Sequence, residues 1–81
     1  MRDERIITEI ASLVDEEHQL RSKRQDGQID SDEERARLRQ LEEALDQCWD
    51  LLRRRRAARD AGTDPDDVEA QPIDRVEGYL Q

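Results

Sequence analysis

Phenylalanine is absent from these 81 residues, and Trp, Tyr and Cys occur once each. So few aromatics, at 2% of the chain, leave little to fill the core of a sheet sandwich. Only three Gly and two Pro are present, too few to turn the repeated hairpins that a β architecture requires. Cys48, being alone, excludes an internal disulfide and a zinc site built on paired cysteines, and it suits a reducing compartment. The longest aliphatic runs are pairs such as Ile6-Ile7 and Leu51-Leu52, far short of a membrane span or a signal peptide, so the chain is expected in the cytoplasm. Lys and Arg number 14 against 22 Asp and Glu, and the resulting formal charge of −8 repels nucleic acid and anionic lipid at long range. Neither is the first partner to consider.

What is abundant is charge, at 44% of residues, interleaved with aliphatic residues at helical spacing. Ile6, Ile10, Leu13 and Leu20 are separated by four, three and seven positions, the a/d pattern of a helix seam, which predicts a helix over 3–25. Asp26-Gly27 interrupts it within a turn over 26–30, and Asp30-Ser31-Asp32-Glu33-Glu34 offers a capping box with either Asp30 or Ser31 as N-cap. Leu38, Leu41, Leu45, Cys48 and Leu52 then recur at spacings of three, four, three and four, predicting a second helix over 31–61 that fades through an arginine run to Gly62, a plausible C′ residue.

So short a turn makes the two helices antiparallel neighbours. In such a pair, residues at one level have position numbers of constant sum, and a sum of 58 sets Leu20 against Leu38, Leu13 against Leu45, Ile10 against Cys48 and Ile6 against Leu52. The same register brings Arg24 to Glu34, Glu4 to Arg54 and Asp3 to Arg55. The expected fold is therefore all-α, an antiparallel two-helix coiled-coil hairpin over 1–62. An acidic linker follows over 63–71, where Pro65 can open a single capped turn. Residues 72–81 carry Ile73, Val76, Tyr79 and Leu80, too apolar for a solvated end, and are expected to be a docking tail, partly helical.

Arg53, Arg54, Arg55, Arg56 and Arg59 form the one candidate anion-binding cluster, since guanidinium groups gathered on a helix can track phosphates. Cations near a helix C-terminus also complement its dipole, and the hairpin places the acidic start of the first helix beside them. Asp15 and His18 have the spacing of the ligand pair in carboxylate di-iron bundles, but they fall at f and b, on the outer face. Glu17, at a, points into the seam, where a polar group sets register. Cys48, at d, behaves as a small hydrophobe. No nucleophile with its base and no phosphate-binding glycine loop can be found, so neither an active site nor a cofactor is expected.

Apolar surface is left over outside the seam. Ile7, Val14 and Trp49 fall at e, and antiparallel packing puts e beside e, making a second stripe; Ala44 and Leu51 fall at g on the other flank. The tail, a second copy of the hairpin or another protein would cover the e stripe.

The segment Leu45-Asp46-Gln47-Cys48-Trp49-Asp50-Leu51-Leu52-Arg53-Arg54-Arg55-Arg56-Ala57 and the ending Pro72-Ile73-Asp74-Arg75-Val76-Glu77-Gly78-Tyr79-Leu80-Gln81 resemble a family of short actinobacterial proteins classed as a domain of unknown function. The resemblance covers nearly the whole chain and implies a small, soluble helical protein without transferring a catalytic residue. The acidic body ending in Gln81 is also similar to the prokaryotic ubiquitin-like modifier, but Tyr79-Leu80 stands where that modifier has Gly-Gly, which removes the slender end a ligase needs. The function expected is that of a protein–protein interaction module, pairing with another protein or with itself through Ile7, Val14, Trp49, Tyr79 and Leu80. The alternative is a factor associated with nucleic acid or the transcription machinery through the Arg53–Arg56 cluster.

Overall fold

The computed structural model describes residues 2–80, with Leu80 described in its backbone only. Three α-helices occur among them, α1 over Asp3–Gln25, α2 over Ser31–Asp60 and α3 over Ile73–Leu80, with one 3-10 turn at Pro65–Asp67 and no strand.

Local chemistry sets the ends of the long helices. Asp30 is the N-cap of α2, its carboxylate accepting the Glu33 N–H at 2.8 Å and so occupying one of the donors that a helix start leaves open. Both helices finish in a Schellman turn. Gln28 N–H donates to the Lys23 carbonyl at 2.9 Å and Thr63 N–H to the Ala58 carbonyl at 2.8 Å. Gly27 and Gly62 supply the left-handed residue each turn requires, at φ 74° and 78°.

α1 and α2 run alongside each other in opposite directions. Asp3 at the start of α1 meets Arg55 near the end of α2 at 2.8 Å, and Glu16 meets Arg37, nearer the start of α2, at 2.9 Å. The Asp3–Arg55 pair has the constant sum of 58 that the apolar spacing requires, whereas Arg54 turns away from Glu4 to Asp50 and the Glu69 carbonyl. Ile6, Ile10, Leu51 and Leu52 form the buried cluster, with Leu45, Cys48 and Val68 packed against it. Leu13 and Leu41 extend burial toward the turn, where Leu20 and Leu38 are half-covered. Glu17 is also half-covered, with Arg21 at 3.5 Å, so this seam carboxylate leans out toward its own helix surface.

α2 is the middle element. α1 packs on one side of it and α3 on another, with no α1–α3 packing among the described residues. The result is a flat layer of 51 × 25 × 14 Å, little more than one helix thick. A layer that thin cannot bury both broad faces of its helices, and this geometry positions the exposed surface considered next.

Candidate functional site

The arginine run resolves into separate jobs. Arg55 falls at a d position and is only 3% exposed. Its guanidinium donates to Asp3 at 2.8 Å, to the Pro65 carbonyl at 2.8 Å and to Asp66 at 3.1 Å. Three segments distant in sequence are thereby tied at one point, which suits the rigid fork of an arginine. Arg59 bonds the other oxygen of Asp3. Arg55 and Arg59 hold the Asp3 carboxyl below the ordinary aspartate range. Arg54 donates to Asp50 at 3.0 Å and to the Glu69 carbonyl at 2.6 Å. Of the five candidate anion-binding arginines, Arg54, Arg55 and Arg59 are thus engaged within the chain, and Arg53 and Arg56 stand exposed on the surface.

The C-terminal segment docks on α2 away from the e stripe. Gln47 donates to the Gln71 carbonyl at 2.8 Å at the entry to α3, and the Tyr79 hydroxyl donates to Asp50 near its end. Between these anchors Val76 is fully buried, at 0% exposure. Asp50, at an f position that the heptad assigns to solvent, is buried and receives both Arg54 and Tyr79. Spacing gives the Asp3–Arg55 pair, but neither the burial of Asp50 nor the bonds of Arg55 to Pro65 and Asp66 could be read from it, because both depend on where residues 64–80 return. Hydrogen bonding to Asp50 also raises the Tyr79 phenol above its usual pKa, fixing it as a donor. One buried oxygen of Glu77 lacks a hydrogen-bond donor, and its carboxyl abuts Asp46. Two carboxylates can bond only by sharing a proton, so Asp46, then burial and the nearby Glu43 and Glu42, raise the Glu77 pKa.

Ile7, Val14 and Trp49 remain 49%, 40% and 45% exposed. The flank can be assigned from an observed contact. Glu16 and Arg37 both occupy g positions and pair directly, so g faces g along one side and e faces e along the other. The returning segment follows the g side, with Val68 packed on the buried cluster and the Gln71 and Glu69 carbonyls on Gln47 and Arg54, both at c. The expectation that the tail covers the e stripe is therefore corrected: the carbonyl contacts draw the returning segment to the g side, and α3 docks on the outer face of α2 against Asp46 and Asp50. The Tyr79 ring is exposed and its hydroxyl serves α3 docking, while the side chain of Leu80, also expected at the contact, lies outside the described residues, as does Gln81.

Burial, and then the charge of Glu9, push the Cys48 thiol up, opposite to what a reactive cysteine needs. Among the described residues no three His, Cys, Asp or Glu side chains converge as metal ligands would, and no helix is long and apolar enough to cross a membrane.

Comparison with known proteins agrees with the resemblance carried by the Gln-Cys-Trp-Asp-Leu-Leu-Arg and Val-Glu-Gly-Tyr-Leu-Gln segments. The chain is 48% identical over 77 residues to the uncharacterized protein Mb0922c of Mycobacterium bovis and to the uncharacterized protein Rv0898c of Mycobacterium tuberculosis, spanning 95% of this chain and 88% of each relative. No solved structure matches it. Residues 2–81 match the family described as "Protein of unknown function (DUF2630)", and the chain belongs to that family.

Proposed function

We propose that this protein is a non-catalytic helical interaction module of the cytoplasm, which presents the e face of an α1/α2 coiled-coil hairpin to a protein partner. The observation that carries the reading is the exposure of Ile7, Val14 and Trp49 on the broad face opposite the returning segment. Clustered apolar side chains left in water are costly and mark contact surfaces, and a half-exposed tryptophan is the side-chain type that most often anchors one. Here α3 has docked and the stripe is still open, so its partner lies outside the hairpin and tail. Tyr79 belongs to the internal anchoring of α3, which leaves Trp49 as the principal contact residue. The arginine alternative draws no support from the geometry, because three of its five guanidinium groups are already bonded within the chain.

A photo-crosslinking residue placed at Ile7 or Val14 in the native cytosol tests this reading, with the same residue at exposed Gln19 as the control. Discrete protein adducts at the stripe and none at position 19 are expected. Equal adduct patterns at the three positions would reject it.

A further inference from the structure

The identity of the occupant can be argued from the charges around the stripe, on the footing of the reading above. On α2, Glu42 and Asp46 lie seven and three residues before Trp49, while Arg53 and Arg56 lie four and seven after it. These spacings keep all five on one side of the helix. Glu42, Arg53 and Arg56 are exposed, while Asp46 is half-covered and engaged by Glu77 of α3. Within seven residues either side of Trp49 the sign of charge on this face therefore reverses, acidic before it and basic after it.

A two-fold axis lying in the plane of the face and crossing the helices at Trp49 converts position n of α2 into position 98 − n of a second copy. Glu42 then faces Arg56 and Trp49 faces Trp49. An isologous interface demands this property, because whatever residue i meets at j, residue j must meet at i. A reversal of charge about the apolar centre meets the demand in the antiparallel orientation. The parallel one would oppose Glu42 to Glu42 and Arg56 to Arg56. The apolar centre is placed consistently, since Trp49 falls at the level of Glu9 in the 58 register, between Ile7 and Val14 on α1. The flat face, 51 by 25 Å, also exceeds the roughly 800 Å² that a standard interface takes from each partner.

We propose that the face is covered by a second copy of this chain, its α2 antiparallel to the first across Trp49, with Glu42 of each copy meeting Arg56 of the other. The dimer is a four-helix arrangement in its centre, with the two α3 helices and the two returning segments on the outside.

Charge reversal tests the pairing directly. One variant carries Arg56→Glu, the other Glu42→Arg, both at exposed positions. Sedimentation equilibrium of the wild type at micromolar concentration is expected to give twice the 9.6 kDa chain mass. Each variant alone should be monomeric, and an equimolar mixture should return the dimer mass. Circular dichroism checks that helix content is kept. A wild type that stays monomeric to near-millimolar concentration would overturn the proposal, and adducts at Val14 would then assign the face to a different protein. A dimer indifferent to both reversals would overturn it as well, by placing the contact elsewhere.

Discussion

Asp3 and Arg55 stand at seam positions where a coiled coil would ordinarily hold leucine, and the ion pair they form is joined to the Pro65 carbonyl and to Asp66. Removing the guanidinium leaves one oxygen of the Asp3 carboxylate and the Pro65 carbonyl without their donor, a loss larger than that of any surface pair. Arg55→Ala should therefore lower the melting temperature well beyond Arg53→Ala, and Arg55→Lys should recover little, since an ammonium cannot reproduce the fork. Asp3 adds a pH signature. Its folded-state pKa is depressed, so the stability it lends is present above the ordinary aspartate range and is lost as pH falls through it and below. Asp3→Asn should flatten the acid limb of a thermal-stability profile. Glu77 behaves in the opposite sense. Its folded-state pKa is raised, chiefly by Asp46, so it favours folding below the ordinary glutamate range and loses that contribution as pH rises above it. Glu77→Gln is expected to raise the melting temperature at neutral pH and to change little near pH 4, where the wild-type carboxyl is largely protonated.

Elements differ in how much of their stability is their own. α2, with 30 residues, is about 45 Å long at 1.5 Å per residue, and its cap acts locally. Asp30→Ala should cost about 1 kcal/mol, roughly 4–8 °C in a domain of this size. α3, with eight residues, is too short to persist in water and exists because Val76 is buried and Gln71 and Tyr79 are bonded to α2. Truncation after Ala70 should lower thermal stability while leaving the Trp49 emission maximum nearly unshifted, because α3 docks on the outer face of α2, through Asp46 and Asp50, and leaves Trp49 exposed. A marked red shift would mean that α3 shields the indole. At this scale the sequence was readable where the signal is local. Gly27, Gly62, Asp30 and Pro65 each announce a turn or a cap through their own backbone chemistry, and α2 ends at Asp60 against an expected 61. The docking of residues 72–80 could be anticipated from their apolar content, but not the face they chose.

For the whole molecule, an antiparallel register with a sum of 58 predicts that cysteines at positions 13 and 45, in a Cys48→Ser background, form a disulfide within one chain. Mass spectrometry after mild oxidation checks it, and a protein that stays helical without forming the bridge would reject the register. The a/d spacing, the capping residues and the scarcity of aromatics, Gly and Pro determined an all-helical chain with two long helices meeting along Ile6, Ile10, Leu13, Leu41 and Leu52, since these are short-range preferences legible a few residues at a time. Tertiary structure alone decided that Asp50 and Arg55 are buried, that the arginine run is divided between internal bonds and surface, and that the tail passes the g side and leaves Trp49 open. The physical reason is that each depends on where residues 64–80 come back to α2. That return is fixed in large part by the carbonyls of Pro65, Glu69 and Gln71 accepting from Arg55, Arg54 and Gln47, and because every residue has a carbonyl, no side-chain pattern records those contacts.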